Sequence, residues 1–166
     1  MIDMAHWGMG CDETGPVEVQ GKGTFPPRTD LWNASTAFEF TCTYANGVKM
    51  IVRSGGPNRF EGTEGSVQLA GKTDPPELAK SVIGPNEIHL YESRSQHGNF
   101  LDCVKSRART AAPVEVAHRS ITVAHLGNIA MMLGRAIRWD ANKEEILDDE
   151  EASRLLSRPK REPWRI

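Results

Sequence analysis

The sequence lacks most of what marks a self-contained enzyme. There is no GxxxxGK[ST] loop for a nucleotide phosphate, no HExxH pair for zinc and no GxSxG nucleophile turn. The nearest approach to a GxGxxG loop is Gly8-Met9-Gly10-Cys11-Asp12-Glu13. Glutamate stands there in the third glycine position, and no strand precedes the run. Cysteine is scarce: Cys11, Cys42 and Cys103 are an odd number at wide spacing. That excludes a disulfide framework and every CxxC zinc pattern. Nor is any of the three a nucleophile: Cys103 lies between Leu101 and Val104 on an apolar helix face, Cys42 is a strand residue, and Asp12 and Glu13 disfavour a thiolate at Cys11. No run approaches the roughly 18 apolar residues of a membrane helix. No basic stretch followed by an apolar one opens the chain as an export leader. Neither sign of charge dominates, with 20 basic and 22 acidic residues and a net charge of −2. Composition therefore points to neither a nucleic-acid surface nor an acidic tail. What remains is ordinary globular material: 166 residues, 39% apolar and 25% charged. One domain of that size can bury a core unaided.

The chain shows no internal repeat. Met1 to Gly10 reads as a helix, with Ile2, Ala5 and Met9 at helical spacing and Gly8 and Gly10 at its end. Val17 to Phe25 reads as a glycine-rich strand stopped by Pro26 and Pro27, and Pro26 to Thr36 as loop. Ala37 to Arg53 is the clearest element, a hairpin around a two-residue Asn46-Gly47 turn. That turn sets Tyr44 against Lys49, Thr43 against Met50, Cys42 against Ile51 and Thr41 against Val52. Apolar groups then lie on both faces, and each face expects a cover. Arg59 to Leu69 is a β segment broken by Gly62 and Gly65. Gly71 to Pro85 is connection with a short helix at Glu77 to Val82, and Glu87 to Glu92 is a short strand or extended segment.

Helices follow. Gly98 to Arg107 is expected to turn Phe100, Leu101, Cys103 and Val104 toward a core. Pro113 starts a long helix running to about Trp139, with Val116, Val123, Leu126, Ala130, Leu133 and Ile137 as its buried stripe. Asp148 to Glu151 opens a short acidic-headed helix, Glu150 to Ser157, ended by Pro159. A basic stretch runs from Arg158 to Arg165, interrupted by proline and glutamate, and reads as a solvated or subunit-packing tail.

Few residues are candidates for chemistry. Asp3 and His6, three apart on the opening helix, share a face. They form either an orienting carboxylate beside a proton-transferring imidazole or a plain surface ion pair. His118 and His125 lie two turns apart on one helix face and, with His97, can line one polar wall. As metal ligands they are spaced badly, since helical pairs prefer three or four, so satisfied histidines are the default. Arg119 offers a planar fork for a carboxylate or phosphate, against the commoner surface salt bridge. Of the scattered tryptophans Trp7, Trp32, Trp139 and Trp164, Trp32 is the best candidate for a binding-site wall, because it sits in a loop near two prolines.

Several stretches together resemble one family. Ile2-Asp3-Met4-Ala5-His6-Trp7-Gly8-Met9-Gly10 and Asp12-Glu13-Thr14-Gly15-Pro16-Val17-Glu18-Val19 open it. Tyr44-Ala45-Asn46-Gly47-Val48 and Phe60-Glu61-Gly62-Thr63-Glu64-Gly65 continue it. His97-Gly98-Asn99-Phe100-Leu101-Asp102-Cys103-Val104-Lys105-Ser106-Arg107 and Pro113-Val114-Glu115-Val116-Ala117-His118-Arg119-Ser120 follow. His125-Leu126-Gly127-Asn128-Ile129-Ala130, Asp149-Glu150-Glu151-Ala152, Arg158-Pro159 and Pro163-Trp164 complete the series. This pattern resembles the C-terminal domain of Gfo/Idh/MocA oxidoreductases, in the type found in planctomycetes and Bacteroidetes, over nearly the whole chain.

The resemblance implies an α+β fold, with an open, largely antiparallel sheet packed by helices on one face. The other face would be free for an oligomer or domain contact. The domain would be residues 1–166, with 1–10 the remnant of an interdomain catalytic helix and 140–166 a C-terminal tail. It also implies an N-terminal Rossmann domain binding NAD or NADP, and hydride transfer at a sugar or polyol hydroxyl. Of a lysine in the cofactor domain and a DxxxHxxD motif, only the last aspartate carries over, as Asp3. The motif's histidine would fall just before Met1, so the chain is expected to begin inside the motif. His6 stands where the family has glutamine. His97, His118, Arg119 and His125 match family positions and, with Trp32, are the candidates for substrate contact. No cofactor and no metal are expected in this chain, nor nucleic acid or membrane as partners. A homo-oligomer through the sheet face and a sugar-like substrate are. The compartment is cytoplasmic by default, or periplasmic if a longer protein carries an export signal. The alternative is a stand-alone assembly or ligand-binding module without catalysis.

Overall fold

The computed structural model describes residues 1–163; the end of the basic stretch, with Trp164 and Arg165, lies outside the described residues. Helix α1 (Ile2–Met9) ends where Gly10 takes a left-handed φ of 64°, and the following Cys11 N–H caps the His6 carbonyl at 2.8 Å. Strand β1 (Glu18–Thr24) then pairs antiparallel with β2 (Ala37–Thr43), which pairs with β3 (Lys49–Arg53). On its other edge β1 pairs with β7 (Ile137–Asp140), and β7 with β8 (Glu145–Leu147). The resulting five-stranded sheet has the order β3-β2-β1-β7-β8 and is antiparallel throughout.

The β2–β3 register differs from expectation by one residue. Cys42 faces Met50, Thr41 faces Ile51 and Phe40 faces Val52. The loop has three residues rather than two. Tyr44 N–H still bonds to Val48 at 2.9 Å, Gly47 takes φ 84°, and Asn46 Oδ1 accepts from Val48 N–H at 3.1 Å. A one-residue slip moves every side chain to the other face. The true register therefore gathers Phe40, Cys42, Met50 and Val52 on the inner face and leaves Ile51, 61% exposed, among Thr41, Thr43, Glu39 and Arg53 outside. The expected two-sided apolar hairpin becomes a sheet with one apolar face.

That face is covered by α3 (Val114–Leu133). Val123, Leu126 and Ala130 are fully buried against Val19, Phe40 and Cys42, and Ile137, Trp139 and Ile146 extend the core over β7 and β8. Gly127 lets the helix lie directly on the Phe40 ring. The long helix ends earlier than its apolar stripe suggests. Gly134 caps it at φ 67°, and Ile137 and Trp139 belong to β7, where they alternate inward instead of following the helix. β8 falls within the stretch read as tail. Its turn is set by Asp140 Oδ1, which accepts from the N–H groups of Asn142 and Lys143 at 2.9 and 3.0 Å. Helix α4 (Glu150–Arg154) is N-capped by Asp149, whose carboxylate accepts from Ala152 N–H at 3.0 Å. It stops short of the predicted Ser157.

A second, three-stranded antiparallel sheet comprises β4 (Arg59–Gly62), β5 (Gly65–Gln68) and β6 (Thr73–Asp74), followed by a 3-10 turn at Pro76–Lys80. Its Phe60 ring lies against Gly8, so α1 runs between this sheet and α3. Residues 87–92 join no ladder. Helix α2 (Gln96–Ser106) is N-capped by Ser95, but among the described residues it makes no extensive packing on another helix or strand. Only Cys103 on it is buried; Phe100 and Leu101 are each 57% exposed and Val104 46%. The face expected to be buried is exposed instead.

Candidate functional site around helix α1

The site is built where α1 meets α3. α1 presents Asp3 on an exposed position. Ser120 of α3, only 8% exposed, donates its hydroxyl to Asp3 Oδ1 at 3.1 Å. One turn along α1, His6 is fully buried. Its Nε2 lies 2.6 Å from the Tyr44 hydroxyl at the end of the β2–β3 hairpin, with the rings edge to face at 5.7 Å. Asp3 and His6 therefore do not pair with each other. The helix is pinned through His6 to Tyr44, and its Asp3 is held by Ser120.

Burial pulls His6 below its ordinary value of 6.5, against the opposing charges of Asp12 and Asp3. Burial likewise raises the Tyr44 phenol and pushes the Cys42 thiol up to about 12. Cys11 is raised by burial and by Asp12. None of these thiols is poised as a nucleophile.

The other candidates divide. His118 and Arg119 come together, but their polar groups are committed. His118 Nε2 is 2.8 Å from Glu144 Oε1; Arg119 bonds Glu115 at 2.8 Å, sits 3.5 Å from Glu144, and donates to the Ala141 carbonyl. The pair staples α3 to the β7–β8 turn. His97 lies in the first turn of α2, at a shallow hollow of about 240 Å³ shared with Gln96, Asn99, Phe100, Thr110 and Ala112. His125 is exposed on α3. Trp32 is 77% exposed in the loop after β1. That loop leaves the Thr24 end of the strand, near where Met131 packs on Gly23. Met131 is about three helical turns, roughly 16 Å, from Ser120. Trp32 is therefore not brought to Asp3. Among the described residues no group of three His, Cys, Asp or Glu side chains is placed to hold a metal.

Sequence reasoning missed Ser120 and Tyr44. Each meets its partner across a long gap in the chain, and a lone serine or tyrosine carries no pattern that announces such a contact. It did place the Gly8-Met9-Gly10 run at the end of the opening helix. That run closes the C-terminus of α1, the carbonyl end of the helix dipole, which repels rather than cradles a pyrophosphate.

Fold and site define a class: an α+β domain with a one-sided antiparallel sheet that presents a carboxylate from its first helix. The whole chain, residues 1–166, matches the oxidoreductase family, C-terminal alpha/beta domain, of the Gfo/Idh/MocA type, and belongs to it. No curated protein matches the sequence significantly. Among solved structures, the chain resembles a protein from Klebsiella pneumoniae named as a candidate oxidoreductase, at 19% identity and a TM-score of 0.50. The alignment covers 93% of this chain and 49% of that one, so the chain spans about half its length.

Proposed function

We propose that this domain is the substrate-side and oligomerisation half of an NAD(P)-dependent oxidoreductase acting on a sugar or polyol hydroxyl. The observation that carries this reading is the placement of Asp3. Its carboxylate is exposed on α1, yet held by Ser120 from the adjacent helix. A fixed, accessible carboxylate can accept a hydrogen bond from a substrate hydroxyl, or orient a lysine that takes the hydroxyl proton. The dinucleotide, bound elsewhere in a longer enzyme, supplies the hydride acceptor. This chain binds and orients. His97 beside its hollow and the exposed His125 are the remaining candidates for substrate contact, and His118 and Arg119 serve the fold.

The sheet's outer face is the proposed oligomer contact. It is uncovered, with Ile51 exposed among threonines and charged residues. Light scattering tests that part: a dimer or larger supports it, and a monodisperse monomer contradicts it. The catalytic part is tested by titrating the purified chain with NADH. No saturable binding is expected. Saturable binding would overturn the division of labour. With the domain joined to its cofactor half, Asp3→Asn should lower kcat by about 10²-fold or more, and unchanged kcat would remove Asp3 from the site.

A further inference from the structure

Two buried polar atoms near the root of α1 have no hydrogen-bond partner among the described residues: Nδ1 of His6 and Oδ1 of Asp12. Buried polar atoms are almost always satisfied, so an orphaned pair asks for an explanation. The two are complementary. Tyr44 has one hydroxyl proton, and among the described residues its hydroxyl has one hydrogen-bond contact, with His6 Nε2. If Nε2 carried the imidazole proton, both Nε2–H and the tyrosine O–H would compete for one axis and the phenol proton would lack an acceptor. The satisfied arrangement has Tyr44 O–H donating to a bare Nε2. The imidazole proton then sits on Nδ1, a donor, and the orphan on Asp12 is an acceptor. Asp12 is also the charge that acts most strongly on His6.

We propose that Tyr44, His6 and Asp12 form a buried relay that latches α1 to the sheet and opens in acid. In it Tyr44 O–H donates to Nε2, and Nδ1–H reaches Asp12 Oδ1 through one buried water. Protonation converts Nε2 from acceptor to donor, so the Tyr44 bond cannot survive in its present sense. Around this core, Asp3 acts on His6 from α1 itself, Cys42 and Cys11 flank Tyr44, and α3 contributes the uncharged Ser120, bonded to Asp3. Because α1 also carries Asp3, opening the latch displaces the exposed carboxylate. The latch stands on local geometry and does not require the proposed reaction; only its consequence for Asp3 rests on that reading.

The experiment is ¹⁵N NMR of the histidine side chains in the intact chain, with amide exchange followed over pH. At pH 7.5 His6 should be the Nδ1–H tautomer; an Nε2–H tautomer overturns the relay. His6 should titrate below 6.5. Asp12→Asn should move that midpoint lower still, and an unchanged midpoint removes Asp12 from the relay. Protection factors of α1 amides should fall by up to about tenfold per pH unit below 6.5, while α3 amides over the sheet hold. A parallel loss in α1 and α3, or no loss in α1, would show that the contact is no separate latch.

Discussion

Alanine at position 127 tests how closely α3 lies on the sheet. An ordinary glycine inside a helix costs about 1 kcal/mol relative to alanine, so Gly127→Ala should stabilise a free-standing helix by that amount. Here the added Cβ would sit 2.5, 2.6 and 2.7 Å from Cζ, Cε2 and Cε1 of Phe40. Those distances are far inside carbon–carbon contact. The ring cannot swing away: Phe40 is only 4% exposed, and a Cβ at Gly21 would lie 2.4 Å from the Phe40 Cβ on the neighbouring strand. Overpacking a filled core costs about 1–3 kcal/mol. The buried ring places this case at the upper end, and the propensity gain offsets about 1 of it. The net expectation is a loss of about 2 kcal/mol, or roughly 4–8 °C in Tm for a domain of this size. Urea melts of Gly127→Ala, Phe40→Leu and the double variant measure it. Leucine ends short of the ring's far edge, so the double variant should lose less than the sum of the singles by about 1 kcal/mol. Additive losses, or a Gly127→Ala chain as stable as the parent, would refute the close approach.

Three further outcomes follow from the same contacts. His6 has its folded value below 6.5, so the unfolded chain takes up the proton first as pH falls. Stability should be full above 6.5 and decline below it until the folded value is passed, and His6→Gln should flatten that slope in melts between pH 7.5 and 5. Arg119→Met removes bonds to Glu115 and Ala141 from a side chain only 18% exposed, and should cost about 1–3 kcal/mol in urea melts. Ser95→Ala deletes the cap on Gly98 N–H and should weaken α2 by about 1 kcal/mol, seen as faster amide exchange confined to residues 96–106.

What the sequence shows of this molecule, and what it hides, divides along the range of the interactions. Gly10, Pro113 and Asp149 mark helix ends through local backbone chemistry, and each does so in the structure. The hairpin is legible from Phe38, Phe40 and Cys42, but its register is not. Asn46-Gly47 fits both a two-residue turn and the last two places of a three-residue loop, and only cross-strand packing decides between them. Ile137 mimics the next turn of α3 because an inward strand residue happens to continue the helical interval; Gly134 is the local signal that outranks it. The apolar side of α2 is correctly amphipathic, yet nothing in a one-dimensional pattern says that it stays exposed among the described residues. The site divides the same way. Asp3 comes from resemblance to a family motif, whereas its holder Ser120 and the Tyr44 that anchors His6 come from 117 and 38 residues away.

The central claim is that this domain works as half of a two-domain oxidoreductase. Reading the genomic DNA in frame upstream of the Met1 codon tests it most directly. The account predicts an open frame encoding a strand followed by a GxGxxG loop, ending in a DxxxH that runs into Met1. An in-frame stop close upstream, with a ribosome-binding site before Met1, would contradict it and leave a non-catalytic assembly or ligand-binding domain.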